Sequence, residues 1–156
     1  MRLTAPASPR QLDLGLAILR VVTGLVFAAH GAQKLFVYGV AGVTGAFQGM
    51  GIPFPAVTGP LTGVVELLAG LALVVGLLTR LAGFGLAITM LGAIGFVHLA
   101  AGFFAPTGIE FPLALLAATV ALAFIGGGRF SLDALIASRR GTAATRQPAR
   151  ALDRAA

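Results

Sequence analysis

Between residues 14 and 126 the chain carries four apolar stretches that only a handful of ionisable residues interrupt. In hydrocarbon, every backbone N–H and C=O must find its partner within the protein, so stretches of this kind cross a membrane as helices or as a closed barrel. Their length and unbroken apolarity select helices. The first, at about residues 14–35, has 22 residues, about 33 Å at 1.5 Å per residue against a hydrocarbon core of roughly 30 Å. The others are predicted at about 60–78, 81–101 and 110–126, the last being the shortest. Composition agrees, since only 10% of residues are charged and 58% are hydrophobic, whereas a soluble domain carries about 25% charged residues. The expected fold is all-α: a transmembrane four-helix bundle with both termini inside, formed by residues 12–138. A short helix is expected at 132–138, with Ser131 as its N-cap and Asp133 in its first turn.

The segments outside this domain are polar. Residues 1–11, with Pro6, Ser8 and Pro9, read as a flexible leader, and residues 139–156 as a basic disordered tail. The apolar run that follows Arg2 and Arg10 is interrupted by Asp13 and Arg20 and lacks a small-x-small cleavage site, so it reads as a retained helix rather than a signal peptide. Residues 36–57 and 102–109 are expected to be uncharged interfacial loops, the first with a short helix near 43–50. With the N-terminus inside, that side holds nine arginines (2, 10, 80, 129, 139, 140, 146, 150 and 154) and the other holds Lys34 alone. This bias sets an N-in, C-in topology in a bacterial-type cytoplasmic membrane, multi-pass. A net charge of +6 without a basic, aromatic-lined groove points to the lipid bilayer as partner, not to nucleic acid. Cysteine is absent, which excludes a thiolate nucleophile, a CxxC centre and a cysteine-ligated cluster in this chain.

Ionisable groups inside a span are costly and mark candidate function. Arg20, Thr23, Phe27, His30 and Lys34 follow steps of three and four along the first helix. Thr58, Thr62 and Glu66 follow steps of four along the second. Each set forms one stripe, and the two stripes are expected to face each other. From helix rise, Arg20 and Glu66 differ in depth by about 9 Å, within reach of an arginine, so the two are expected to pair. Nearer the outer ends lie His30, Lys34, His98 and Glu110. The two histidines at matched depth suit a polar pocket better than a haem, for which no motif speaks, and no compact ligand cluster suggests a metal. Thr107 with Glu110 reads as a capping box. Lys34 can snorkel to the headgroups. Gly59 with Gly63, and Gly92 with Gly95, would allow close helix contact.

Several of these residues carry a resemblance. Leu19-Arg20, Gly24, Phe27, His30-Gly31 and Gln33-Lys34-Leu35-Phe36 resemble the first-helix signature of the DoxX family. Gly51-Ile52-Pro53, Glu66-Leu67 with Gly70, Gly76-Leu77-Leu78-Thr79-Arg80 and the closing Gly128-Arg129-Phe130-Ser131-Leu132-Asp133 follow in the same order. Gly127 stands where the family often has proline. The resemblance covers about residues 14–136 and implies a small four-helix membrane protein. Some members are linked to thiosulfate:quinone oxidoreduction and others to membrane-bound oxidoreductase assemblies. Matching positions are Arg20, His30, Lys34, Glu66, Arg129 and Asp133, with no catalytic role to transfer.

The leading expectation is therefore a membrane component of a redox system. It would bind a quinone, a small oxidant or a sulfur substrate between helices 1 and 2 and the outer loop. The ligand-binding candidates are Arg20, His30, Lys34, Glu66, His98 and Glu110, with no intrinsic cofactor and no metal. No motif names a reaction. If the chain is an enzyme, the class is a quinone-linked oxidoreductase subunit. The rivals are a non-enzymatic anchor for soluble oxidoreductase partners and a small-molecule or proton carrier; a homo-oligomer is left open. The charge bias makes one direct prediction. With Gly45→Cys and Ser138→Cys placed in this cysteine-free chain, an impermeant thiol reagent added from the periplasm labels position 45 and not 138. The reverse pattern would invert the topology.

Overall fold

The computed structural model describes residues 6–145; the outer part of the basic tail, 146–156, and residues 1–5 lie outside the described residues. Among the described residues the structure is helical throughout, with no strands. The first helix, α1 (Pro9–Ala32), continues through one π-helical turn (Gln33–Tyr38) and, after Gly39 at φ 67°, into α2 (Gly39–Gly49). Then follow α3 (Pro55–Val75) and α4 (Thr79–Ala93), the latter extended by a π turn (Ile94–His98) and a 3-10 turn (Leu99–Ala101). Next come α5 (Glu110–Ile125) and α6 (Leu132–Thr145). Three helical runs, Pro9–Gly49, Pro55–Val75 and Thr79–Ala101, are long and apolar enough to cross a membrane. The 16 residues of α5 reach only about 24 Å. The molecule is thus a helical bundle of the membrane type.

Several boundaries differ from the sequence reading, each for a local reason. The leader ends at Ser8, because Ser8 caps α1. Its Oγ accepts the Gln11 N–H at 3.4 Å and its own N–H donates to Gln11 Oε1 at 2.8 Å, a capping box with Pro9 in the first turn. The loop expected over 36–57 is mostly helical, and its irregular part shrinks to residues 50–54. The second spanning helix starts at Pro55 rather than near 60, leaving Pro60 inside it. Thr79 and Arg80 begin α4 instead of linking two helices. Ser131 caps α6 as expected, its Oγ accepting the Ala134 N–H at 3.2 Å. The helix, however, runs to Thr145, so 139–145 are helical rather than disordered.

Packing follows the glycines. α1 lies along α3, and α4 along α5, with α2 laid on α3. A Cβ on Gly24 would stand 2.6 Å from the Gly70 carbonyl oxygen, and one on Gly70 2.5 Å from the Ala28 nitrogen, so the two backbones touch and only glycine fits. Gly63, flagged by spacing, packs against Leu35 and Lys34, whereas Gly92 and Gly95 meet nothing within 4 Å. Phe27, Leu73, Ala82, Leu86, Met90 and Leu122 form the core. Leu14, Ile18, Val22, Leu25, Leu68 and Phe84 stay exposed, as expected of faces bathed in acyl chains.

One end of the bundle, which carries Arg80 and Arg129, is closed by a clasp. Arg20 is buried at 3% exposure. Its guanidinium donates to the carbonyls of Leu73 at 2.6 Å and Val74 at 3.0 Å, the last turn of α3, and to Phe130 O at 2.8 Å. Asp133 meets the other half of the same turn, its carboxylate accepting the Leu78 N–H at 2.7 Å and the Thr79 N–H at 2.9 Å. Leu78 sits there in the left-handed region at φ 49°, a conformation that costs about 1 kcal/mol or more and needs outside support. Burial raises the Asp133 pKa, but the hydrogen bonds from Thr79 and Leu78 and the nearby Arg20 charge outweigh it and hold the carboxyl below the usual carboxylate range. A depressed folded pKa contributes stability that is complete above the unfolded value and is lost as the pH falls below about 4, through the folded value. Asp133→Asn should therefore lower the thermal midpoint at neutral pH and flatten its fall between about pH 5 and 3. An unchanged acid profile would show that the clasp carries none of the stability.

Candidate functional site

At the opposite end of the bundle, Lys34 and Glu66 meet. Lys34 Nζ lies 2.5 Å from Glu66 Oε2, with side-chain exposures of 21% and 5%. Lys34 stands in the π turn that follows α1, and Glu66 in the middle of α3. Their meeting is a consequence of the glycine register. Gly24 abuts Gly70 and Val74, while Gly31 abuts Gly63 and Leu67. Glu66 therefore lies level with residues 30–31, ten residues or about 15 Å beyond Arg20.

The expected pair of Arg20 and Glu66 does not form. Depths counted from helix ends placed the two about 9 Å apart; the ends of the two helices are not level, and the register fixed by Gly24 on Gly70 and Gly31 on Gly63 sets the larger separation. Arg20 finds uncharged carbonyls at a helix C-terminus, where the macrodipole favours a cation. Glu66 takes Lys34 instead. The expected slot between helices 1 and 2 is likewise closed, since those helices pack backbone to backbone.

The pair lies in the wall of a cavity of about 550 Å3 on the other side of α3, between α3 and α4 and roofed by Phe47, Met50 and Ile52. Leu61, Val65, Ile88 and Phe96 make the wall apolar; Thr58, Thr62, Thr89 and His98 are its remaining polar residues. The threonines' protons are committed: Thr58 donates to Pro53 O and Phe54 O, Thr62 to Thr58 O and Thr89 to Leu86 O. The His98 Nδ1–H donates to Thr107 O at 2.7 Å, which fixes the tautomer and leaves Nε2 as the acceptor of the neutral ring. Lys34, with two N–H groups beyond the one facing Glu66, is the cavity's strong donor.

The other candidates lie elsewhere. His30 is exposed on α1, in a shallow hollow with Gln33 and Phe36, so the two histidines line separate hollows. Glu110 holds a loop: its Oε1 accepts the Ala105 N–H at 2.8 Å, and Ile109, not Thr107, precedes α5, so the capping box does not form. Arg20 belongs to the clasp. Among the described residues, no three His, Asp or Glu side chains gather closely enough to hold a metal ion. Thr89 escaped the sequence reading, which did place the outer segment beside the ligand but singled out none of the roof residues as candidates. Thr89 is a lone hydroxyl on an apolar helix, and the roof comes from a segment read as a loop with a short helix near 43–50.

A membrane-type helical bundle with a charged pair set in an apolar cavity of ligand size is the class of protein that this geometry defines. The DoxX family model matches residues 15–99, more than half of the chain, and the protein belongs to that family. It is similar to an uncharacterized membrane protein of Mycobacterium tuberculosis, 36% identical over 89% of this chain and 93% of the relative. It is also similar to a Bacillus subtilis protein named "Putative oxidoreductase CatD", 33% identical over 81% of this chain and 90% of the relative. A third relative, an uncharacterized protein of Haemophilus influenzae, is 34% identical over 76% of this chain and 87% of its own. No solved structure matches the chain.

The geometry predicts which charges are coupled. In a double-mutant cycle on thermal stability in detergent, Lys34→Met and Glu66→Gln should show a coupling of about 1–3 kcal/mol, because either single change strands a partly buried charge. Arg20→Met with Glu66→Gln should be additive within about 0.5 kcal/mol. Coupling in the second cycle and none in the first would refute the arrangement.

Proposed function

We propose that this protein is a membrane component of a redox system, in a bacterial cytoplasmic membrane, and that it binds a quinone-like molecule in the cavity beside Lys34 and Glu66. The observation that carries this reading is the ion pair itself. A carboxylate at 5% exposure opposite a lysine, in a cavity otherwise almost wholly apolar, is expensive to maintain for packing alone. The cavity volume, about 550 Å3, lies within the roughly 300–1,000 Å3 usual for small-molecule sites. A flat ring with carbonyl acceptors suits the site, since Lys34 offers N–H donors while the apolar wall covers the ring. The oxidoreductase name of the Bacillus relative supports the redox half of the proposal. Because the chain has no cysteine, any thiol chemistry in such a system belongs to a partner protein.

A thermal-shift titration tests the site. A short-chain quinone analogue at a hundredfold excess over Kd should stabilise the protein by about 2.7 kcal/mol. Lys34→Met should abolish the shift, whereas His30→Ala and removal of residues 146–156 should leave it intact. A wild-type protein that shows no shift at any soluble concentration would refute the proposal in favour of an anchor for soluble partners. That anchor would lose partner recruitment on truncation of the tail.

A further inference from the structure

The cavity is not closed on its bilayer side. α3 and α4 are joined by the short turn at residues 76–78 within the clasp and touch partway along, where a Cβ on Gly85 would lie 3.8 Å from Val65 Cγ1. Two turns further on, Gly92 meets nothing within 4 Å, and neither does Gly95. Gly92 thus faces the cavity, which lies between α3 and α4 beyond their contact at Gly85. Residues on both rims line the cavity and are also exposed at the surface of the bundle: Leu61 at 53% on α3, and Ile88 and Phe96 at 55% each on the α4 side. All three are apolar, as are the roof residues Met50 and Ile52. The charged pair lies at the inner wall.

From this we infer that the gap between α3 and α4 is a lateral portal to the lipid. The occupant is then an amphiphile with a carbonyl-bearing head and one long apolar chain, not a water-soluble small molecule. The inference rests on the proposed ligand site and adds the class of molecule and its route. The head enters far enough to accept a hydrogen bond from Lys34, and the chain leaves between Leu61 and Ile88 into the acyl region. A water-soluble ligand would need a polar path to the ion pair, whereas the rims of this gap offer hydrocarbon. An amphiphile partitions into the bilayer first and meets the portal there, with its chain covered by the rim side chains that the bundle leaves bare.

Gly92 allows a direct test, because it lines the cavity and has open space at its Cβ position, so a larger side chain obstructs the gap without displacing backbone. Protein in nanodiscs, with empty nanodiscs subtracted for partitioning, is titrated with a benzoquinone bearing a decyl chain and with the same ring lacking it. The chain-bearing compound should bind roughly tenfold tighter or more. Gly92→Leu should bring the ratio of the two affinities close to one, and Gly92→Ala should fall between. Equal affinity for both compounds, with Gly92→Leu silent, would overturn the portal and leave the ligand site standing. Binding of neither compound would overturn both. If Gly92→Leu instead converts a dimer to a monomer, measured by light scattering, the gap is an interface between two copies and the portal is refuted.

Discussion

The bundle depends on one buried guanidinium. Where α3 ends and α4 begins, the chain reverses in three residues, leaving carbonyls at one helix terminus and amides at the next with no partners of their own helices. In a membrane protein such groups cannot be left to lipid. Arg20 satisfies the carbonyls of Leu73 and Val74, and Asp133 satisfies the amides of Leu78 and Thr79. Each charge also matches the helix dipole that it faces. Because Arg20 comes from α1 and Asp133 from α6, the same contacts hold the first and last helices to the central turn. The Asp133 N–H donates to Gly76 O at 2.9 Å and Arg20 reaches Phe130 O, which binds the α5–α6 link into the same cluster.

From the clasp outward, spacing is set by which residues separate the helices. Glycine against glycine brings α1 onto α3 with no side chains between them, so Lys34 arrives within reach of Glu66. Glycine against alanine does the same for α4 on α5, where a Cβ on Gly83 would stand 2.8 Å from the Ala123 nitrogen. Between α3 and α4, Gly85 faces Val65 at ordinary contact distance, whereas Gly92 further along faces the open space of the cavity. The cavity lies between two tightly joined helix pairs, α1 with α3 and α4 with α5. α2 roofs it because the π turn and Gly39 redirect the chain across the bundle.

The two charged clusters differ in kind. Arg20 and Asp133 engage backbone groups, the guanidinium through its two terminal nitrogens while its buried Nε has no hydrogen-bond partner, and their chemistry is that of capping. Lys34 and Glu66 engage each other and leave lysine protons facing an apolar space. Both clusters draw on the motifs by which the family resemblance was read, so those motifs combine a structural requirement with a candidate binding function.

Much of this was legible in the residues alone. Helix number and type follow from apolar length, because lipid leaves the backbone no alternative to internal hydrogen bonding. The importance of Arg20, Lys34 and Glu66 follows from the cost of a charge in a span. The partners of those charges were not legible. Along α1, 100° per residue places Phe27, Gly31 and Lys34 within about 40° of Arg20 but His30 about 80° away. A stripe drawn by steps of three and four thus includes a histidine that the fold leaves outside. Whether Arg20 meets Glu66 depends on a relative shift of two helices by a few residues. Sequence spacing within one helix cannot contain that shift. It is decided where Gly24 meets Gly70 and Gly31 meets Gly63, by contact between backbones far apart in the chain. The cavity is more remote still from the sequence, since residues of α2, α3 and α4 and Lys34 from the turn after α1 must come together to line it. One chain determines its own helices through local hydrogen bonding and hydrophobic length, while the pairing of buried charges and the empty space beside them belong to the packing between helices.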